Sequence, residues 1–312
     1  MRFVERPTDA DWGAAQDGAW ARAFLQPMLE DGVTAHLSNV HTDLRIAIVE
    51  DQVLPYTIND GKAPNAWVVS PRNAYVDYAG EELRELNNPV LRGTLKAALS
   101  GLGAVLDAGK VDRLVCIDNW CVSTNLHPHL SSDSLRALTL ALVDQFPSHA
   151  LAWRSVHQWR DEPLAAQLQA AGYRPVPARS CWVWDPNDPH HRAAKNLKHD
   201  RRHLRNSGYE VIGPDSLTAE DAPRLRSLYD ALYLDKYSKH NPAMTDRFLR
   251  AALAGALHVR ALRKDGRIDA VLGFFCRAGF MTTPLFGYDT TLPQDVGLYR
   301  MLSQALVQES IA

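Results

Sequence analysis

The sequence predicts an α/β protein made of two successive units, each a mixed sheet flanked by helices. Three observations carry this. Residues 209–308 run strand, two helices, three strands, then a turn into a last helix. Residues 1–184 mix helical and strand periodicities in a related order. Between them, Asp185-Pro-Asn-Asp-Pro189 can continue neither a strand nor a helix interior. The predicted units are residues 1–186 and 187–312. A chain of 312 residues also suits two domains better than one core.

In the first unit, residues 9–29 have a helical pattern anchored by Trp12, Trp20 and Phe24. Residues 44–49 and 53–58 read as a hairpin, and 66–70 and 74–78 as further strands. Residues 89–106 place leucines and alanines at amphipathic helical spacing. A buried-type strand follows at 113–117, then a helix capped by Ser131 and running to 146. Residues 150–156 read as a strand, 162–171 as a helix closed by Gly172, and 173–184 as one or two strands.

The second unit opens with a basic, helix-compatible run over 192–205. Strands are expected at 209–213, 257–263, 269–276 and 280–288, with helices over 218–237, 245–254 and from 298 onward. The order of elements suggests an internal duplication. On that pattern the second unit lacks the closing strands, and Ser310-Ile-Ala312 is still helix-compatible. The expectation is a shortened chain or a sheet completed by a partner.

Composition sets limits. Hydrophobic residues are 46%, charged residues 22% and the net charge is −2, so any anion recognition must be local. The four cysteines, Cys116, Cys121, Cys181 and Cys276, form no close pairs, which argues against a zinc site or disulfide framework. Cys116 and Cys276 lie in apolar strand-like runs and read as buried thiols. No apolar leader or 18-residue apolar run is present, so the expected location is cytoplasmic.

The strand-to-helix step at 288–299 is the strongest functional signal. A glycine turn entering a helix points backbone N–H groups and the positive dipole end at one spot, where a phosphate-bearing carrier fits. Tyr288 and Asp289 end the preceding strand, where a base or acid would sit; Asp289 can equally close an Asp-Thr turn. Tyr237, Lys239 and His240 form a polar cluster at a helix end, readable as catalytic or as capping cations. Lys195, Lys198, Arg202 and Arg205 share one face of the basic helix, readable as a phosphate contact or as a solvated face. Asp118 and Asn119 follow a buried strand, where Asp118 suits an acceptor amine. His127 and His129 lack a third ligand nearby, so no metal is expected. Hydrolase, P-loop and Rossmann signatures are absent.

Several segments together resemble the GNAT acyltransferase superfamily, in the tandem arrangement of Fem-type aminoacyltransferases. They are Asn196 to Arg205 followed by Gly208-Tyr209, Tyr237 to His240, Gly287-Tyr-Asp289, Gly297-Leu-Tyr-Arg300, and in the first unit Leu151 to His157 with Pro163 to Tyr173. The run Gln294-Asp-Val-Gly297-Leu-Tyr299 keeps the Gln and first Gly of the pyrophosphate signature, with Tyr299 where a small residue is usual, as in divergent Fem-type members. The resemblance implies two GNAT-like units, the first with a lost donor pocket. It implies transfer of an acyl or aminoacyl group from acyl-CoA or aminoacyl-tRNA to an amine by direct attack, with no tightly bound cofactor. Gln294, Gly297, Leu298, Tyr299 and Arg300 would hold the donor. Asp289, Tyr288, His240 and Lys239 would do the chemistry. Asp118, Asn119, Tyr237, Lys195, Lys198 and Arg202 would contact the acceptor, a small molecule or peptide amine, or the phosphates of a tRNA. The rival reading is a non-catalytic binding module that kept the fold.

Overall fold

The computed structural model describes residues 1–62 and 64–311, with Asp9 and Ala10 described by backbone alone; Ala312 lies outside the described residues. It is a mixed α/β protein with two sheets. The first half opens with β1 (Arg2–Val4), α1 (Asp9–Gly13), α2 (Gly18–Asp31) and α3 (Val33–His36). The hairpin follows as β2 (Asp43–Val49) and β3 (Gln52–Asp60), closed at Glu50–Asp51 with Val49 opposite Gln52. A π-helical turn, Asn73–Tyr78, leads into α4 (Ala79–Glu82) and the long α5 (Pro89–Ala108). Then come β4 (Arg113–Ile117), α6 (Ser132–Gln145), β5 (Ala150–Trp153) and α7 (Glu162–Ala170). The five strands stand in sequence order, antiparallel except that β5 lies parallel to β4, as a crossover through α6 requires.

The second half begins with α8 (Pro189–Ala193) and α9 (Lys195–Asn206), then β6 (Glu210–Ile212), α10 (Ala222–Tyr229) with a π-helical extension Asp230–Tyr237, and α11 (Asp246–Ala251). An antiparallel meander of β7 (His258–Lys264), β8 (Arg267–Arg277) and β9 (Phe280–Tyr288) ends in α12 (Leu298–Ile311). Both halves thus run edge strand, helices, antiparallel meander, helix. In the second, β9 is the last strand and pairs only with β8 among the described residues.

The capping signals work as their chemistry dictates. The Ser131 hydroxyl accepts from the Ser134 amide, Thr245 from Phe248, and Thr218 forms a capping box with Asp221. Gly172 takes a φ of 97° after α7.

Three expectations are corrected. Residues 66–70 form turns and 74–78 lie in the π-helical turn, because the Ser70 hydroxyl accepts from the Asn73 amide and Pro71 suits a helix start. Residues 173–184 form no strand: Pro175 and Pro177 remove ladder donors. Cys276 is exposed, since the pleat of β8 turns it away from Phe275. The amphipathic helix expected over 89–106 is present as α5, almost wholly exposed with only Gly103 buried.

The sheets share one core. β8 is apolar from Ala270 to Phe275 because both faces are covered. One face, with Leu272 and Phe274, packs on α12; the other, with Val271 and Phe275, joins a cluster that includes Trp20, Phe24 and Trp120 of the first half. Trp20 stacks on Trp120 at 4.4 Å and on Phe275 at 4.8 Å. Aromatic pairs of this kind add about 0.5–1.5 kcal/mol beyond area burial.

Candidate functional site

The turn from β9 into α12 is built around Gly297. Its φ of 73° lies in the left-handed region, and a Cβ there would meet His203 Nε2 at 2.5 Å. His203, on α9, is hydrogen-bonded to the Val296 carbonyl at 2.8 Å, so the basic helix is clamped against the turn. The Val296 and Gly297 amides are spent on the carbonyls of Pro293 and Gln294. The amides of Leu298, Tyr299 and Arg300 have no protein acceptor among the described residues. They are the free donors of a helix start. Leu298's side chain is in the core, so only its amide is available. Gln294 is exposed, and the Arg300 guanidinium is bound to Asp200 at 2.6 Å.

Tyrosines gather beside these amides. Tyr299 is 57% exposed and leans on Phe286, 5.7 Å between ring centres, and on Tyr288, 6.5 Å. The Tyr237 phenol is raised by burial and by the neighbouring phenols of Tyr288 and Tyr299, which places the three together. Tyr233, 5.8 Å from Tyr237, is pushed up to about 12 by burial, then by Tyr237 and by Tyr78 of the first half. The raised phenols of Tyr237 and Tyr233 stay protonated at neutral pH and can donate a proton. Tyr237 and Tyr233 come from one π-helical turn and Tyr78 from another; such turns are frequent at functional sites.

The loop after Tyr237 is clipped to the first half. Arg84 binds the carbonyls of Lys236 and Tyr237. The Asn39 amide donates to the Lys239 carbonyl at 3.2 Å, and the Lys239 side chain is exposed. His240 Nδ1 lies 2.7 Å from Asn73 Nδ2, and its Nε2 lies 3.5 Å from Glu81 Oε1. Both ring nitrogens are therefore engaged, so His240 is a strut between the halves more than a free base. Asn73 Oδ1 and Glu81 Oε2 remain buried with no partner.

Other predicted residues sit elsewhere. Asp289 closes the turn: it accepts from the Thr291 amide and hydroxyl and from Arg224 at 2.9 Å. The bonds from Thr291, then the Arg224 charge, hold its carboxyl below the usual range, so it is a weak base. Asp118 is fully buried. It accepts from Arg277 of β8 at 2.7 Å, from Trp120 Nε1 at 2.9 Å and lies 2.8 Å from His127 Nδ1. Burial alone would raise its pKa; the Arg277 charge and the His127 bond outweigh it and hold it low. Asn119 is equally buried and binds Thr57, the Val68 carbonyl and Arg154. Neither can meet an acceptor: the lone pairs and protons of Asn119 are consumed within the first half, and those of Asp118 by Trp120, His127 and, across the join, Arg277. Lys195, Lys198 and Arg202 are exposed on the solvent side of α9, opposite Leu204 and Asp200, which face α12.

Sequence reasoning missed Asn73, Tyr78, Glu81 and Arg84. Their only local signal was Ser70-Pro71, a helix start, since what makes them part of the site is contact with residues more than 150 positions away. A concavity of about 730 Å³ lies on the first half and reaches the junction only at Asn73. Its carboxylates are satisfied locally, Asp112 by Ser70 and Asp77 by Arg72. Among the described residues no cluster of His, Cys, Asp and Glu could hold a metal, and no helix is long and apolar enough to cross a membrane. In comparison with known proteins no family model matches the chain, and neither a curated protein nor a solved structure matches it.

Proposed function

We propose that the chain is an acyltransferase of two GNAT-like units whose second half holds the donor. The observation that carries the reading is the β9–α12 junction, where three unpaired amides lie beside Tyr288, Tyr299 and Tyr237. The repeated order of elements in the two halves supports the tandem assignment. A phosphate-bearing carrier, acyl-CoA or aminoacyl-tRNA, binds at the helix start, with the exposed cations of α9 adding positive potential nearby. The amine attacks the acyl carbon directly; the C–S or C–O bond to the carrier breaks. A tyrosine phenol gives its proton to the leaving thiolate or hydroxyl, the amine's proton leaves to solvent, and Lys239 neutralises the oxyanion. The carrier's acyl end and the amine meet at the tyrosines.

The test is thermal stabilisation. Coenzyme A thioesters and charged tRNA are titrated in parallel, and the true carrier raises the melting temperature by mass action. Tyr299→Ala weakens that stabilisation about two- to tenfold in concentration, taking a stacked aromatic as worth about 0.5–1.5 kcal/mol. Stabilisation by neither carrier overturns the donor site. One observation favours a second reading, a non-catalytic binding module: His240 and Asp289 are both committed to structural bonds. Binding without turnover of any amine would establish it.

A further inference from the structure

We infer that the protein forms a two-fold dimer through α5. This helix of 20 residues stands on the π-helical turn and α4 with only a narrow strip, Leu99, Gly103 and Leu106, against the body. The opposite half is apolar and open to solvent. Leu91, Leu95, Ala98, Leu102 and Val105 recur every three or four residues, so they form one stripe along the helix. Their exposures reach 46% at Leu91 and 68% at Val105, while Val90 beside them is 77% exposed. Arg92, Lys96 and Asp107, the only charges of α5, all fall outside this half of the helix by the 100° step of the helix.

The pattern points to a second copy of the same chain. About Ala98 the stripe is nearly self-complementary: Leu91 and Leu95 on one side, Leu102 and Val105 on the other. Two antiparallel copies crossing at Ala98 place Leu91 against the partner's Val105 at both ends, the isologous arrangement of a two-fold axis. Ala97, Ala98 and Gly101 at the crossing allow close backbone approach. The size fits as well. A helix of this length is about 30 Å long, and its apolar half is on the order of 600 Å², near the ~800 Å² per partner of a standard interface. A monomer seldom leaves so large an apolar patch in water. A lipid surface fits less well, because the apolar half has no aromatic residue and no flanking lysines. Since α5 backs the segment that carries Asn73, Tyr78 and Glu81, the dimer would also brace the junction. The inference does not depend on the proposed chemistry.

The test is sedimentation velocity of the full chain over a dilution series, with Leu102→Glu as the variant. The expected result is a dimer that the variant weakens at least about a hundredfold, since symmetry applies each change twice. Leu102 is exposed, so an unchanged circular dichroism spectrum and melting temperature are expected. In a Cys181→Ser, Cys276→Ser background, Ala98→Cys should give an interchain disulfide on oxidation, and Ser100→Cys, on the rear of the helix, should not. A chain that stays monomeric at every concentration overturns the inference. So does a monomer that sediments with phosphatidylglycerol vesicles, which would reassign the stripe to lipid.

Discussion

The end of β4 in the first half and the end of β9 in the second occupy equivalent places in the repeated order of elements, yet they are opposite in character. After β4, Asp118 and Asn119 are sealed and every polar atom they carry has a partner, including Arg277 from the other half. After β9, Tyr288 faces an open cluster of phenols and three amides wait without acceptors. A strand end in this fold can therefore be sealed or left open. What decides is whether a long side chain from the neighbouring half reaches in. Arg277 does so at β4; at β9 the side chain that reaches the turn is His203 of the same half, which stops at its shoulder beside Gly297 and leaves the next three amides free.

The comparison breaks first at the sealed end. Arg277→Met leaves Asp118 buried and uncompensated and should cost about 3–5 kcal/mol in urea denaturation, with part recovered by adding Asp118→Asn. A cost under 1 kcal/mol would mean that the buried network does not hold the halves together. Next comes Gly287→Ala, the residue before Tyr288, where a Cβ would meet the Leu228 backbone at 2.6 Å. Overpacking there should cost about 1–3 kcal/mol and weaken any carrier bound at α12; a neutral effect would show that α10 is not seated on β9. Gly297→Ala should follow at about 1–2 kcal/mol, from the left-handed backbone and the displaced His203. Last is Asp289→Asn, about 1 kcal/mol in chemical denaturation and little change in carrier affinity. A large loss of affinity from that substitution would restore Asp289 to the reaction.

The two carboxylates also separate by pH. Both Asp118 and Asp289 are held below their ordinary value of 3.8 in the folded protein. Each therefore adds stability that is present above that value and lost as pH falls through the lowered folded one. Asp118→Asn should flatten the acid limb of the stability curve more than Asp289→Asn does, because Asp118 is held by a buried cation. Equal slopes would contradict the difference in burial.

Much of the framework was legible. β2, β3, β4 and β8 carry apolar runs between turn residues, and Ser131, Thr218 and Thr245 announce helix starts through their hydroxyls. The β9–α12 step was readable because glycine is what a left-handed turn requires. The seal over Asp118 was not, since Arg277 lies 159 positions away and its strand gives no sign of reaching across. Nor was the role of His240: Asn73 and Glu81 approach it only after the halves have met. Two segments misled for the opposite reason. Residues 66–70 and 74–78 alternate like strands, but a hydroxyl and a proline just before Asn73 turn the chain into a helix instead.

The stacked Trp20, Trp120 and Phe275 have a consequence for how this gene can be divided. A cut between residues 186 and 187 would follow the boundary of the two sheets and still yield two insoluble pieces, the first keeping both indoles with one face of Trp20 bare and the second turning Phe275 to water. Co-expressed, the pieces should find one another and restore a working whole, so the halves can be exchanged only as a matched pair.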